Sequence, residues 1–347
     1  MSTKESIVVI CPGRGTYTKA EAGYLNKYRP GITPYIDAID EQLKQHAQPS
    51  VSELDNEIPF SFRTHTPGEF ASTLIYACSL ADFLNIDRDR YEISAITGNS
   101  MGWYTALALA GGLKAGGDFH LIHSMGSMMR DKVIGGQLIY PVTDDNWQHS
   151  DEREQHLNQE IELLRSNGAE IHDSIYFGGY RIIGGESADL KKLAKNLIPI
   201  DDRYPFMLIN HAAFHTPMMH EVSQRGLSEI PIELFQSPTI PLIDGTGKIW
   251  QPLCSSPEQL RHYTLTTQVY ATYDFTCAVT TAIKEFAPDK LVLLGPGATT
   301  GGAIGQCLVK NRWQGISNKK DFTQRQTDAP FLIAMGREDQ RKIVGKI

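Results

Sequence analysis

The sequence has no apolar run long enough for a bilayer, no cysteine pairing pattern, no internal repeat and no excess of basic charge. Its most apolar stretch, residues 105–113, falls far short of the roughly 20 residues that a membrane-spanning helix needs. The opening MSTKESIVVICPGRG has only one short apolar run, Ile7-Val8-Val9-Ile10, before Pro12-Gly13, which is not the pattern of a signal peptide. The five cysteines (Cys11, Cys78, Cys254, Cys277 and Cys307) are odd in number and scattered, with no CxxC. That excludes a zinc ribbon or a disulfide framework and fits free thiols in a reducing cytoplasm. Lys plus Arg is 33 against 40 Asp plus Glu, a net charge of −7, which argues against a general nucleic-acid binder. What remains, 347 residues at 41% hydrophobic and 21% charged, is an ordinary globular chain. Its length suits about two domains, or one α/β core with an insertion.

The run Ile7-Val8-Val9-Ile10 stops at Pro12-Gly13-Arg14-Gly15, the pattern of a buried parallel strand entering a Gly-rich turn. A helix is expected over 67–84, a second strand over 91–97, a buried Ala- and Leu-rich helix over 103–113 and another helix over 118–132. The middle changes character. Strands over 137–142, 175–183 and 206–210 alternate with a charged helix over 151–166 and a short amphipathic one over 188–197. The apolar side of the charged helix is Ile161, Leu163 and Leu164. This β-α-β-α-β run suggests a ferredoxin-like α+β subdomain over 135–209. It interrupts an α/β-hydrolase-like parallel-sheet core made of 1–134 and 210–347. The core resumes with a strand over 239–243, a helix near 275–286 and a strand over 290–294 that ends in Gly295-Pro296-Gly297.

Gly98-Asn99-Ser100-Met101-Gly102 matches G-x-S-x-G and lies between a strand and an Ala-rich helix. Such a turn must be tight. Its glycines let the backbone take strained angles, and the serine hydroxyl is lifted to a helix N-terminus, where developing negative charge is favoured. A serine needs a base to take its proton. Among eleven histidines, His123 reads as packing and His149, His156 and His172 as solvated. His211, His215 and His220, in a segment leaving a strand, stay equivalent on residue chemistry alone.

Four landmarks occur in one order: Cys11 to Thr16, Gly98 to Gly102, Ala213 to Met219, and Leu294 to Gly297. They resemble the F-P-G-Q-G-S, G-H-S-x-G, P-F-H-S-x-x-M and V-G-P-G stretches of the malonyl-CoA:acyl-carrier-protein transacylases. The same family supplies the acyltransferase domains of polyketide and fatty-acid synthases. The resemblance covers residues 5–310 and implies that Ser100 is the nucleophile and His215 the general base and acid. It implies an oxyanion hole formed by the backbone N–H groups of Arg14 and Met101. The stretch from Gln268 to Phe275 is similar to the family's Q-L-Y-N-P-V-Q-W, which makes Asp274 the expected orienter of His215. The order Ser, His, Asp differs from that of α/β-hydrolases, where the acid precedes the histidine.

The departures bear on substrate. The family's histidine before the serine is Asn99, its glutamate after the second glycine is Trp103, and its opening glutamine is Arg14. Where the family writes M-R-G-x-x-M-Q, this chain has Ser124-Met125-Gly126-Ser127-Met128-Met129-Arg130, so Met125 replaces the arginine that pairs with the malonyl carboxylate. A methionine cannot make that fixed bidentate contact. Arg130, about 140° further round the helix, should face elsewhere. Met125, Asn99 and Phe70 are candidate substrate-binding residues, and the expected acyl group lacks a free carboxylate.

The implied reaction is ping-pong acyl transfer from acyl-CoA to the phosphopantetheine thiol of an acyl carrier protein, in fatty-acid or polyketide-type biosynthesis. It needs no bound cofactor or metal, and its setting is cytoplasmic, with a ketosynthase of the same pathway as a further partner. The stretch from Lys310 onward holds nine Lys or Arg against four Asp or Glu. Lys310, Arg312, Lys319 and Lys320 are therefore candidates for docking an acidic carrier. Three alternatives share the same residues: an acyl-carrier thioester hydrolase, a malonyl transacylase using Arg14 as its cation, and a non-catalytic carrier-binding scaffold.

Overall fold

The apolar run near the start of the sequence becomes the centre of a sheet. The computed structural model describes residues 4–29 and 31–346. Strand β1 (Glu5–Cys11) lies between β2 (Tyr91–Gly98) and β10 (Lys290–Leu293). Ile7, Val8, Val9 and Ile10 have no exposed surface, as a parallel strand covered on both faces requires. The six-stranded sheet runs β11-β10-β1-β2-β7-β8, with β7 at Leu242–Ile243, β8 at Ile249–Trp250 and β11 at Leu332–Ala334. Among the described residues, the β7–β8 pair is the one antiparallel pair of this sheet. Helices α1 (Gly68–Asn85), α2 (Gly102–Leu109) and α3 (Gly117–Ser127) pack beside it. Nearly all of α1 from Ala71 to Phe83 is buried, which explains why its sequence is apolar around most of its circumference.

The second sheet takes its strands mostly from the expected insertion. In chain order it is β3 (Gly136–Pro141), α4 (Asp151–Ser166), β4 (Ile171–Phe177), β5 (Tyr180–Gly185), α5 (Ser187–Asn196) and β6 (Phe206–Met207). The strand order β6-β3-β5-β4 is that of a ferredoxin-like β-α-β-β-α-β unit. One strand comes from outside it: β9 (Tyr273–Asp274) adds parallel to β4, pairing Ile175 with Tyr273.

Two expectations need correction here. The strand expected over 175–183 is a hairpin, because Gly178 takes φ +64° and the chain reverses so that Phe177 pairs with Tyr180. A glycine with positive φ at the first central position suits a two-residue hairpin turn. On α4 the buried residues are Leu157 and Ile161, while Leu163 is 53% exposed. Positions 157, 161 and 164 share one helical face, and 163 lies off it. Among the described residues no helix is long and apolar enough to cross a membrane.

A buried ion pair ties the last helix, Glu338–Val344, to the core. Arg341 donates to Asp82 Oδ1 on α1, and Asp82 Oδ2 accepts from the amide of Gly295 and from the Tyr24 hydroxyl, each at 2.7 Å. The same carboxylate thus anchors the turn that follows β10. Asp82 is fully buried, so Arg341→Met leaves an uncompensated charge. We expect a loss of about 3–5 kcal/mol in urea unfolding followed by circular dichroism; a loss below about 1 kcal/mol would mean that the pair is dispensable.

Candidate active site

The end of β2 and the start of α2 leave almost no space between them. A β-carbon on Gly98 would lie 2.2 Å from the Gly102 carbonyl oxygen, and one on Gly102 would lie 2.4 Å from that of Cys11. Only glycine permits this approach. Between them Ser100 sits at φ +55°, a left-handed conformation uncommon for a residue with a side chain. The turn is held by the Asn99 amide donating to the Cys11 carbonyl at 3.0 Å. Ser100 Oγ consequently stands at the mouth of the first turn of α2.

Its partner is His215, 3% exposed and itself at φ +57°. Ser100 Oγ lies 2.7 Å from His215 Nε2, and His215 Nδ1 lies 2.6 Å from the backbone carbonyl oxygen of Gln268. A carbonyl can only accept, so Nδ1 carries the proton and Nε2 is left to accept from the serine hydroxyl. Burial pushes the His215 imidazole down from 6.5 to about 4, and the Gln268 carbonyl offsets part of this. The ring is therefore neutral near pH 7, the form that takes a proton from serine. Gln268 is buried and tied at both ends. Its Oε1 accepts from the Tyr104 hydroxyl at 2.8 Å, and its Nε2 donates to the Ser100 carbonyl at 3.0 Å.

Ser100 borders two cavities. The narrower, about 60 Å³, is lined by Met125, Met128, Met129, Val222, Phe214 and Val269, with Arg14, Ser72, Met101 and His215 also on its wall. The wider, about 430 Å³, opens between the two sheets and is bordered by Arg14, Asn99, Gln137, Tyr180, Arg203 and His211 among others. Neither the Arg14 nor the Met101 amide donates to another group among the described residues. The Arg14 side chain has no carboxylate partner among them either. Its guanidinium donates to the Asn210 carbonyl at 3.0 Å and lies 4.7 Å over the Phe214 ring. Burial lowers its pKa to about 10, still well into the charged range.

The structure thus brings Ser100, His215, Arg14, Met101 and Met125 to one cavity and Asn99 to the adjoining one. Two other expected residues lie elsewhere. Asp274 does not orient His215: its Oδ1 accepts from the Cys277 amide at 2.7 Å and caps the helix Phe275–Phe286, and Gln268 takes the orienting place. Phe70 packs against the core, and the α1 residue on the cavity wall is Ser72, two positions or about 200° further on. Of the three histidines left open, His220 is exposed against Tyr270, and His211 Nδ1 meets Gln137 Oε1 at 2.7 Å on the wider cavity. Arg130 pairs with Glu69 at the surface, and Trp103 is fully buried, donating to Thr264 Oγ1 at 3.0 Å. Lys310 and Arg312 line a separate cleft beside Asp274. Gln268, Tyr104 and Ser72 escaped the sequence reading. Gln268 acts through its backbone, which no side-chain pattern reports.

No protein-family model matches this chain, and no curated protein does. Solved structures do. A malonyl-CoA:acyl carrier protein transacylase from Xanthomonas oryzae is 17% identical and covers 99% of this chain and 100% of its own, with a TM-score of 0.72. A malonyl-transacylase in complex with its type II polyketide-synthase acyl-carrier protein is 16% identical, covers 98% of each chain and has a TM-score of 0.71. The acyltransferase domain from the second module of the salinomycin polyketide synthase is 17% identical, covering 97% of this chain and 70% of that one, with a TM-score of 0.68. The class is an α/β fold with a ferredoxin-like second sheet and a serine at the strand-to-helix elbow. More narrowly, the fold is that of the malonyl-CoA:acyl-carrier-protein transacylases along nearly the whole chain.

Two measurements check the site. Asp274→Asn should leave the rate at which a fluorophosphonate probe labels Ser100 within about threefold of wild type; a loss of several thousandfold, as when a triad acid is altered, would restore Asp274 as orienter. The second is pH-dependent stability. Burial lowers the pKa of both His215 and His211 below the ordinary 6.5, to about 4 and about 3, so the unfolded chain binds more protons below pH 6.5. Stability is therefore complete above that value and falls as pH drops towards 4. Urea midpoints between pH 7 and 4.5 should decline, and less so in His211→Asn; equal slopes would argue against a buried neutral His211.

Proposed function

We propose that the protein is an acyltransferase that moves an acyl group from acyl-CoA to the phosphopantetheine thiol of an acyl carrier protein. The observation that carries this reading is the Ser100–His215–Gln268 relay at the junction of two cavities. One cavity suits the acyl chain and the other the thiol arm. His215 Nε2 takes the Ser100 proton as Oγ attacks the thioester carbonyl, and the amides of Arg14 and Met101 receive the oxyanion. The C–S bond breaks, His215 returns the proton to the departing thiol, and an acyl-serine ester remains. The carrier thiol then attacks the ester by the reverse sequence, which restores free Ser100. We read 1–134 with 210–347 as the catalytic core and 135–209 as the small subdomain that walls the wider cavity. One structural neighbour, a transacylase in complex with its acyl-carrier protein, supports the choice of partner.

The methionine lining supports an acyl group without a free carboxylate. Met125 stands on the acyl cavity with Met128, Met129 and Val222, where a lone carboxylate would be costly to desolvate. A second reading, a carboxylate-bearing acyl group, is favoured by Arg14, a cation on the same wall with no acidic partner among the described residues. Water in place of the carrier thiol would make the same site a thioester hydrolase.

Intact-protein mass spectrometry after incubation with acetyl-, butyryl- and malonyl-CoA tests the proposal. Wild type should gain one acyl mass and Ser100→Ala none, and holo-carrier protein should discharge the adduct at least tenfold faster than buffer alone. Discharge at equal rates would identify a hydrolase. Met125→Arg should raise malonyl loading relative to acetyl; a malonyl adduct already dominant in wild type would establish Arg14 as the cation.

A further inference from the structure

Among the described residues, one polar group on the wall of the acyl cavity has nothing to bond to. Ser72 is 1% exposed, lines the cavity together with Ser100, and its Oγ has no hydrogen-bond partner among the described residues. Every other polar side chain on that wall is engaged: Ser100 with His215, Tyr104 with Gln268, and Arg14 with the Asn210 carbonyl. A buried hydroxyl left unpaired is unfavourable, and in native proteins such groups usually mark a missing partner. Helix contacts show where the hydroxyl sits. A β-carbon on Gly126 would lie 2.7 Å from Ser72 Oγ and 2.6 Å from the Gly68 carbonyl oxygen, while one on Gly68 would lie 2.5 Å from Arg14 Nη1. The free hydroxyl and the guanidinium therefore flank the same crossing of α1 over α3, beside Met125. The remaining wall is methionine, valine and phenylalanine, so the polarity is confined to this spot. At about 60 Å³ the cavity holds about four water-sized groups.

We propose that Ser72 is a specificity-determining residue that donates to an oxygen on the far end of a short acyl group. The substrate is then a short acyl-CoA whose chain carries a hydroxyl, keto or carboxylate oxygen rather than a plain alkyl chain. The inference rests on the acyl-transfer reading and deepens it. With a neutral oxygen Ser72 acts alone; with a carboxylate it shares the charge with Arg14. A plain alkyl chain of the same length fills the methionine-lined space and leaves the hydroxyl unpaired.

The test is the initial rate of Ser100 adduct formation with butyryl-CoA, 3-hydroxybutyryl-CoA and malonyl-CoA, in the full chain and in Ser72→Ala, which removes only the hydroxyl. In wild type the better of the two oxygen-bearing probes should load about tenfold faster than butyryl, the scale of one buried hydrogen bond. Ser72→Ala should cut that ratio about fivefold or more. If 3-hydroxybutyryl is preferred the oxygen is neutral, and if malonyl is preferred it is a carboxylate held jointly with Arg14; both outcomes support the proposal. A purely structural role at the helix crossing would slow all three probes by one factor, and that unchanged ratio would overturn it, as would a wild-type preference for butyryl. Absence of any adduct with any probe would instead remove the acyl-transfer reading itself, and this inference with it.

Discussion

The backbone carbonyl of Gln268 decides which nitrogen of His215 bears the proton, and so whether Ser100 meets a base or another donor. The rest of the site is arranged to keep that carbonyl in place. Gln268 is gripped through its amide by Tyr104 on α2 and by the carbonyl of Ser100 itself, so the histidine's support is locked to the elbow it serves. A carbonyl orients as well as a carboxylate but brings no negative charge. The imidazolium formed in a reaction is then less stabilised, consistent with burial holding His215 near 4. Such a weak base suits a thioester better than an amide. A thiol leaves as a much weaker base than an amine, with an ordinary pKa near 8.5, and needs less help from an acid.

The second constraint is steric. At Gly98 and Gly102 the sheet and helix approach too closely for any β-carbon, and Ser100 is forced into a left-handed conformation as a result. The strain is supported by a large apolar sheet whose central strands are buried over most of their length. Strained residues persist only where the surroundings over-determine them, and here both Ser100 and His215 meet that condition. The second sheet contributes shape. Packed beside the elbow, it leaves the wider cavity open on one side of the serine while the helices α1 and α3 close the narrower one on the other.

How much of this was readable from residues alone follows from how local each signal is. Strand β1, the elbow, the helix Phe275–Phe286 and the strand after it announce themselves through contiguous apolar runs and breakers, and they lie within a few residues of where the pattern puts them. The hairpin at Gly178 was hidden because apolar residues stand on both sides of the Gly-Gly pair and read as one strand. Asp274 was misplaced for a different reason. The resemblance of the stretch from Gln268 to Phe275 puts Asp274 at the orienting position, whereas the group that does the orienting is the peptide carbonyl of Gln268, six residues earlier, and a peptide carbonyl is identical in every residue. Ser72 and Phe70 show the same limit on one helix: both positions are legible as helical, but which one faces the cavity depends on packing against α3.

The exchange at Met125 shows why a pocket must be judged by its summed contents and not by a single position. Taken alone, a methionine where an arginine is expected removes a charge and argues for an uncharged ligand. In the folded chain another guanidinium, that of Arg14, reaches the same region from the loop after β1, passing within contact distance of the Gly68 position on α1. Arg14 is desolvated there and has no acidic neighbour among the described residues; a peptide carbonyl and the Phe214 face are what it has. Carbonyl dipoles and an aromatic face stabilise a buried cation less than a carboxylate does. The pocket therefore has a cation, and it comes from the loop after β1 and not from α3. A ligand oxygen beside Arg14 and Ser72 would be met by donors on one side and by methionine on the other, so the geometry of the chain end, more than its charge alone, sets what the cavity accepts.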